Sequence, residues 1–116
     1  MKMSLKKTLE RLLAMMQNPL VKTLSYSSTT TWSVAGTVTI TEAGLYLFRA
    51  KYANTPVKGL ALSLSGQNSP VVILSEPNTA SGELYGMAML QATTYNVWAF
   101  CAAAGRSNAI DIHRIP

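Results

Sequence analysis

Glu42-Ala-Gly-Leu-Tyr-Leu-Phe-Arg-Ala-Lys-Tyr52 is the stretch whose reading decides the fold. A glycine turn opens a strand whose even positions, Tyr46, Phe48, Ala50 and Tyr52, form one apolar face. The odd positions begin apolar with Leu45 and Leu47 and end charged with Arg49 and Lys51, the pattern of a half-buried antiparallel strand. Working outward, short β-type runs predict further strands at Val21–Tyr26, Thr31–Ala35, Thr37–Thr41, Leu45–Ala53, Gly59–Ser65, Val71–Ser75, Glu83–Leu90, Tyr95–Cys101 and Ala109–Ile115. Turn-forming clusters divide them, among them Ala35-Gly, Asn54-Thr-Pro, Gly66-Gln-Asn-Ser-Pro and Ala104-Gly-Arg-Ser-Asn. Many short strands without intervening helices predict an all-β antiparallel sandwich over residues 20–116.

Residues 4–17 carry the one helical pattern. Leu5, Leu9, Leu12 and Met16 are spaced by four, three and four, a heptad seam, while Lys6, Lys7, Glu10 and Arg11 take outward positions. Ser4 is placed to cap the first turn, and Pro19 ends the helix by pushing Asn18 out of helical geometry. A helix this short is marginal alone, so residues 1–19 either cover one end of their own domain or form a short coiled coil with copies of themselves.

At 116 residues the chain has one core. Only 13% of its residues are charged and 48% are apolar, so its surface is either rich in uncharged polar groups or partly hidden by other chains. Two strands favour the second option, because both of their faces are apolar. In Glu83–Leu90, Tyr85, Met87 and Met89 oppose Leu84, Gly86, Ala88 and Leu90; in Tyr95–Cys101, Trp98 and Phe100 oppose Val97, Ala99 and Cys101. Such strands need a second cover. Another subunit supplies it most economically; the alternative supply is the first twenty residues. The expected oligomer interface is therefore Leu5, Leu9, Leu12, Met16, Tyr85, Met87, Met89, Trp98 and Phe100.

The net charge of +5 is concentrated at the start: Lys2, Lys6, Lys7, Arg11 and Lys22 against Glu10 account for +4 of it. The body is nearly neutral and has no basic face with interleaved aromatics, so no nucleic-acid partner is expected. No apolar run is long enough to span a bilayer, and Glu10 and Arg11 interrupt any export signal. The expectation is synthesis in the cytosol without Sec export and no membrane insertion. Cys101 is the lone cysteine and reads as a buried, inert thiol. His113 is the sole histidine, and Glu10, Glu42, Glu76, Glu83 and Asp111 are scattered singly. Asp111 and His113 share one strand face, pointing in parallel, which is poor triad geometry. There is no G-x-S-x-G elbow and no phosphate-cradling glycine loop. A non-enzyme is expected, with no catalytic, metal or cofactor residues. The polar loops 54–58, 66–70 and 76–82 are the places where a glycan or receptor would bind.

The segment Gly44-Leu-Tyr-Leu-Phe48 resembles the G-x-Y-x-F strand of the tumour-necrosis-factor-like and complement-globular-head jelly rolls. Ala92-Thr-Thr-Tyr-Asn-Val-Trp-Ala99 resembles the penultimate strand of that fold, and Ile110-Asp-Ile-His-Arg-Ile115 its closing strand. The resemblance covers about residues 24–115 and implies a compact homotrimer, with Leu5–Met16 as a reduced stalk. The final strand lacks the aromatic usual there, and no calcium-binding carboxylate cluster is present. Low charge and abundant Ser and Thr are similar to small phage virion proteins, fibre tips or capsid decorations. That context implies partners among other virion proteins or a host surface glycan or receptor.

Overall fold

A computed structural model describes residues 4–16, 20–51, 54–74 and 83–115, the side chains of 12–16 excepted. In chain order, helix α1 (Leu5–Met16) precedes β1 (Leu20–Ser27), β2 (Ser33–Thr39), β3 (Gly44–Lys51), β4 (Val57–Leu64), β5 (Val72–Ile73), β6 (Leu84–Leu90), β7 (Thr94–Cys101) and β8 (Ser107–Ile115). The strands form two antiparallel sheets, ordered β1-β8-β3-β6 and β2-β7-β4-β5. β1 pairs with β8, β2 with β7, β3 with β6 and β4 with β5. The chain is thus one long hairpin of strands rolled onto itself, a topology consistent with a jelly roll.

Strand alternation places the core. Tyr46, Phe48 and Ala50 of β3, Ile110 and Ile112 of β8, and Leu84 and Leu90 of β6 face inward from one sheet. Val38, Leu60, Leu62, Val97 and Ala99 meet them from the other. Each large side chain buried in this way contributes about 2 kcal/mol. Tyr46 keeps its polar end satisfied at the rim, where its hydroxyl donates to Glu42 O at 2.6 Å. Tyr52, the last residue expected on this face, lies outside the described residues.

One strand boundary is corrected. The expected turn at Ala35-Gly36 is absent, and β2 runs through it as a single strand. Its register against β7 slips between Val34 and Gly36, a bulge that absorbs one residue without ending the strand. Glycine fits there because a Cβ on Gly36 would lie 2.9 Å from Leu24 Cδ2, across the sandwich. On the same side, Lys22 stands in register with inward-facing Ile112 and donates from Nζ to Thr37 O of β2 at 2.8 Å. Both contacts tie the edge of one sheet to the edge of the other.

The helix begins as the sequence predicts. Lys7 N donates to Ser4 Oγ at 3.2 Å and Thr8 N to Ser4 O at 3.0 Å, which satisfies two amides of the first turn. Leu9 is 2% exposed and packs against Leu47 and Tyr85 on the outside of the β1-β8-β3-β6 sheet. Burying that one leucine stabilises the docked helix by about 2 kcal/mol, enough to hold an element that is marginal on its own. In the single chain the helix covers part of its own domain through Leu9.

Candidate functional site

The outer face of the β1-β8-β3-β6 sheet is where apolar surface and order meet. Register puts Leu20, His113, Leu47 and Met87 in one row across the four strands, and Ile115, Leu45 and Met89 in the next. Leu47 and Tyr85 are sealed under Leu9, at one end of the face. The remainder is open: Met89 is 71% exposed, Leu20 54% and Met87 40%, with Leu45 and Ile115 half-buried between them. Leu5 of α1 adds to the same side and is 47% exposed. Contiguous open apolar side chains of this size mark an interaction surface, whereas scattered ones do not.

The charges around this surface are paired within the chain. Glu83 binds Lys6 of α1 at 3.5 Å and Arg49 of β3 at 3.9 Å, and Lys6 also lies 3.8 Å from Glu10. The Tyr85 hydroxyl reaches Glu10 at 3.2 Å and Glu83 at 3.4 Å, so this network clamps the helix to the sheet. Burial pushes the Tyr85 phenol well up, and Glu83 and Glu10 reinforce that shift against the opposing effect of Arg49. Arg114 pairs with Glu42 at 2.6 Å, and Lys51 with Asp111 at 3.0 Å. Covering the apolar rows would therefore strand no lone carboxylate from these pairs, which removes the largest cost of burying a polar sheet face.

Asp111 carries a testable pH dependence. Burial alone raises its carboxyl, but the Thr23 hydroxyl donating at 2.8 Å and the Lys51 ammonium outweigh burial and hold it below its ordinary value of 3.8. A carboxyl depressed by folding contributes stability above its unfolded value and loses it as pH falls through the folded one. Urea midpoints of the parent chain are expected to fall below about pH 4, and those of Asp111→Asn to fall less. Parallel curves for the two would show that the carboxylate is not linked to folding.

On the outer face of the second sheet the chain itself covers Trp98 and part of Phe100, while Val34 and Ile73 stay 45% and 59% exposed. Gly59, Ala61 and Ser63 of β4 are buried small residues that form a trough, and Phe100 and Trp98 of β7 lie beside it in register. Trp98 is 8% exposed and donates from Nε1 to Ser63 Oγ at 2.9 Å. Phe100 is half-buried, with the Trp32 ring edge-on at a centroid distance of 4.7 Å. A Cβ on Gly59 would overlap Phe100 and lie 2.8 Å from Trp32 Cη2, so only glycine admits the pair. In the single chain, Trp98 is therefore covered from within.

The expected interface residues consequently divide between two opposite faces. Leu5, Leu9, Tyr85, Met87 and Met89 share one; Trp98 and Phe100 lie on the other; the side chains of Leu12 and Met16 are outside the described residues. Sequence reading missed Leu20 and Leu45 as members of the open face. The signal was present for Leu45, which shares the odd face of its strand with Leu47.

Other candidate positions have structural occupations. Glu83 and Asp111 are held in the ion pairs above, and Glu76 is outside the described residues. Among the described residues there is no group of three side chains suited to a metal ion, and no helix is long and apolar enough to cross a membrane. In the 54–58 loop, Asn54 Nδ2 donates to Ser107 O at 2.6 Å and Thr55 Oγ1 accepts from Ala103 N at 3.1 Å. Asn108 Nδ2 donates to Thr55 O at 3.0 Å, so this loop is locked into the end of the sandwich. Cys101 is 3% exposed; burial pushes its thiol up, against hydrogen bonds with Tyr26 at 3.6 Å and Asn108 at 3.8 Å. A thiol reagent is expected to modify the folded chain at under about a hundredth of the rate seen in denaturant. Prompt labelling under native conditions would contradict this burial.

No protein-family model, curated protein or solved structure matches this chain.

Proposed function

We propose that the chain is a non-enzymatic assembly protein that works as a homotrimeric β-knob, of the kind that tips a fibre or decorates the capsid of a phage particle. The observation that carries the reading is the open, charge-balanced apolar face around Leu20, Leu45, Met87, Met89 and Ile115. Four strands about 4.8 Å apart and eight residues long span roughly 500 Å², of which α1 already covers the part over Leu47 and Tyr85, so the open rows are one share of the surface a threefold contact would use. The rolled-hairpin strand pairing supports the resemblance from which the threefold state and the particle setting are taken.

Light scattering of the full chain tests the assembly, with three chains per particle expected. A monomer across the accessible concentration range would end the proposal, and a stable dimer would replace the threefold state. The particle setting is tested separately, by asking whether the chain co-purifies with phage particles released by its host. Absence from such particles would remove that setting and leave the assembly standing.

A further inference from the structure

The two sheets are tied together on one side of the sandwich and part on the other. At the β1–β2 side, Lys22 and the close approach of Leu24 to Gly36 bridge the gap. At the β5–β6 side, the contact is Leu74 against Gly86, so tight that a Cβ on Gly86 would lie 2.6 Å from both Leu74 Cβ and Leu74 O. Beyond that contact the sheets part into a cleft of about 260 Å³. Leu62 and Leu90, both buried, wall it from opposite sheets, Ala88 lies beside Leu90, and Val72 stands at the mouth, 50% exposed.

The lining chemistry restricts what fits. The described residues of the lining include no charged side chain. Each of its polar members has one acceptor bond filled: Ser63 Oγ takes Trp98 Nε1, Gln67 Oε1 takes Leu64 N, and the Tyr95 hydroxyl oxygen takes Gln91 N, each at 2.9 Å. The donors they can offer a ligand are the Tyr95 O–H and the Gln67 amide. A dry apolar cavity of about 150 Å³ holds benzene, so this cleft accommodates a ring with a short tail or a chain of comparable volume.

We propose that the β5–β6 cleft is a binding site for a small neutral molecule with an apolar body of roughly six to ten carbons and one acceptor oxygen, such as a ketone or ester carbonyl. The body displaces water from Leu62, Ala88 and Leu90, and the oxygen accepts from a donor at the rim. An anionic head would find no cation in this lining, and its desolvation would cost at least about tenfold in affinity. Met89 of the outer rows also lines the cleft, whereas Leu62, Ala88 and Leu90, which hold the apolar body, face inward.

Methyl-resolved NMR of the full chain, titrated with heptanone and separately with hexanoate as the charged match, tests the proposal. Heptanone is expected to shift the methyl signals of Leu62, Ala88, Leu90 and Val72 saturably, with hexanoate at least about tenfold weaker. Ala88→Leu, which fills the cleft, should abolish the shifts. Val72→Trp blocks the mouth from an exposed position that folding does not depend on, and should do the same. Heptanone leaving these methyls unmoved, hexanoate binding equally well, or saturable binding surviving in both variants would overturn the site. Cleft methyls that move with protein concentration, and not with heptanone, would show a second copy of the chain as the occupant and would also overturn it.

Discussion

Gly86→Val is expected to destabilise the fold by about 3 kcal/mol, near the upper end of what overpacking costs, and to lower the midpoint of thermal unfolding by roughly 12 °C. The reason is the identity of the obstructing atoms. A Cβ at this position meets the Cβ, carbonyl carbon and oxygen of Leu74, which are chain and not the free end of a side chain. Relief requires the segment after β5 to lift away from β6, which uncovers Leu74 from its packing against the core. Gly44 provides the internal control, on the neighbouring strand. The nearest atom to its added Cβ is Arg114 Nε at 4.0 Å, so Gly44→Ala should change stability by less than about 1 kcal/mol. Equal losses for the two substitutions would mean that strand propensity, and not the Leu74 contact, sets the penalty.

The second large effect is expected in assembly. Met87→Glu combined with Met89→Glu should weaken the trimer at least a hundredfold, because an unpaired carboxylate buried at an interface costs about 2–5 kcal/mol and every tenfold corresponds to about 1.4 kcal/mol. Both methionines are open in the single chain, so the far-ultraviolet spectrum of the variant should be unchanged. Val34→Glu introduces one such charge on the opposite sheet, at a position 45% exposed, and should leave the mass in solution as it was. A trimer that survives the methionine pair and dissociates with Val34→Glu would move the interface to the other face. In that event the aromatic ribbon of Trp32, Trp98 and Phe100 would become the surface to study.

Particular residues show how much of this was legible in the sequence. The strand after Gly44 was read correctly on both faces, because alternation of period two survives wherever one side is buried. The Ser4 cap was equally clear, since capping is chemistry between near neighbours. Ala35-Gly36 was misread as a turn: whether a glycine bends the chain or admits a bulge depends on Leu24, twelve residues before it in sequence and across the sandwich in space. The two-faced strands show the same division. Their apolar outward positions were visible, but what covers them is a tertiary fact. For β7 a local signal existed in Gly59-Leu-Ala-Leu-Ser63, whose small odd positions make room for large neighbours on the adjacent strand. For β6 the helix covers Tyr85 and leaves Met87 and Met89 open, a partition set by how far α1 reaches along the sheet.

Lys22 ties the edges of the two sheets together at the side where both are open. An edge strand with free amides and carbonyls is a template for another chain, and repeated pairing at such an edge leads to fibres. Lys22 Nζ occupies Thr37 O of β2, so another group could take that lone pair only by breaking the tie between the sheets. A protein with open apolar surface on a broad face benefits from such a tie, because that surface is also a hazard at high local concentration. If the proposed trimer forms, this tie is one of the features that would favour a counted particle over an endless one.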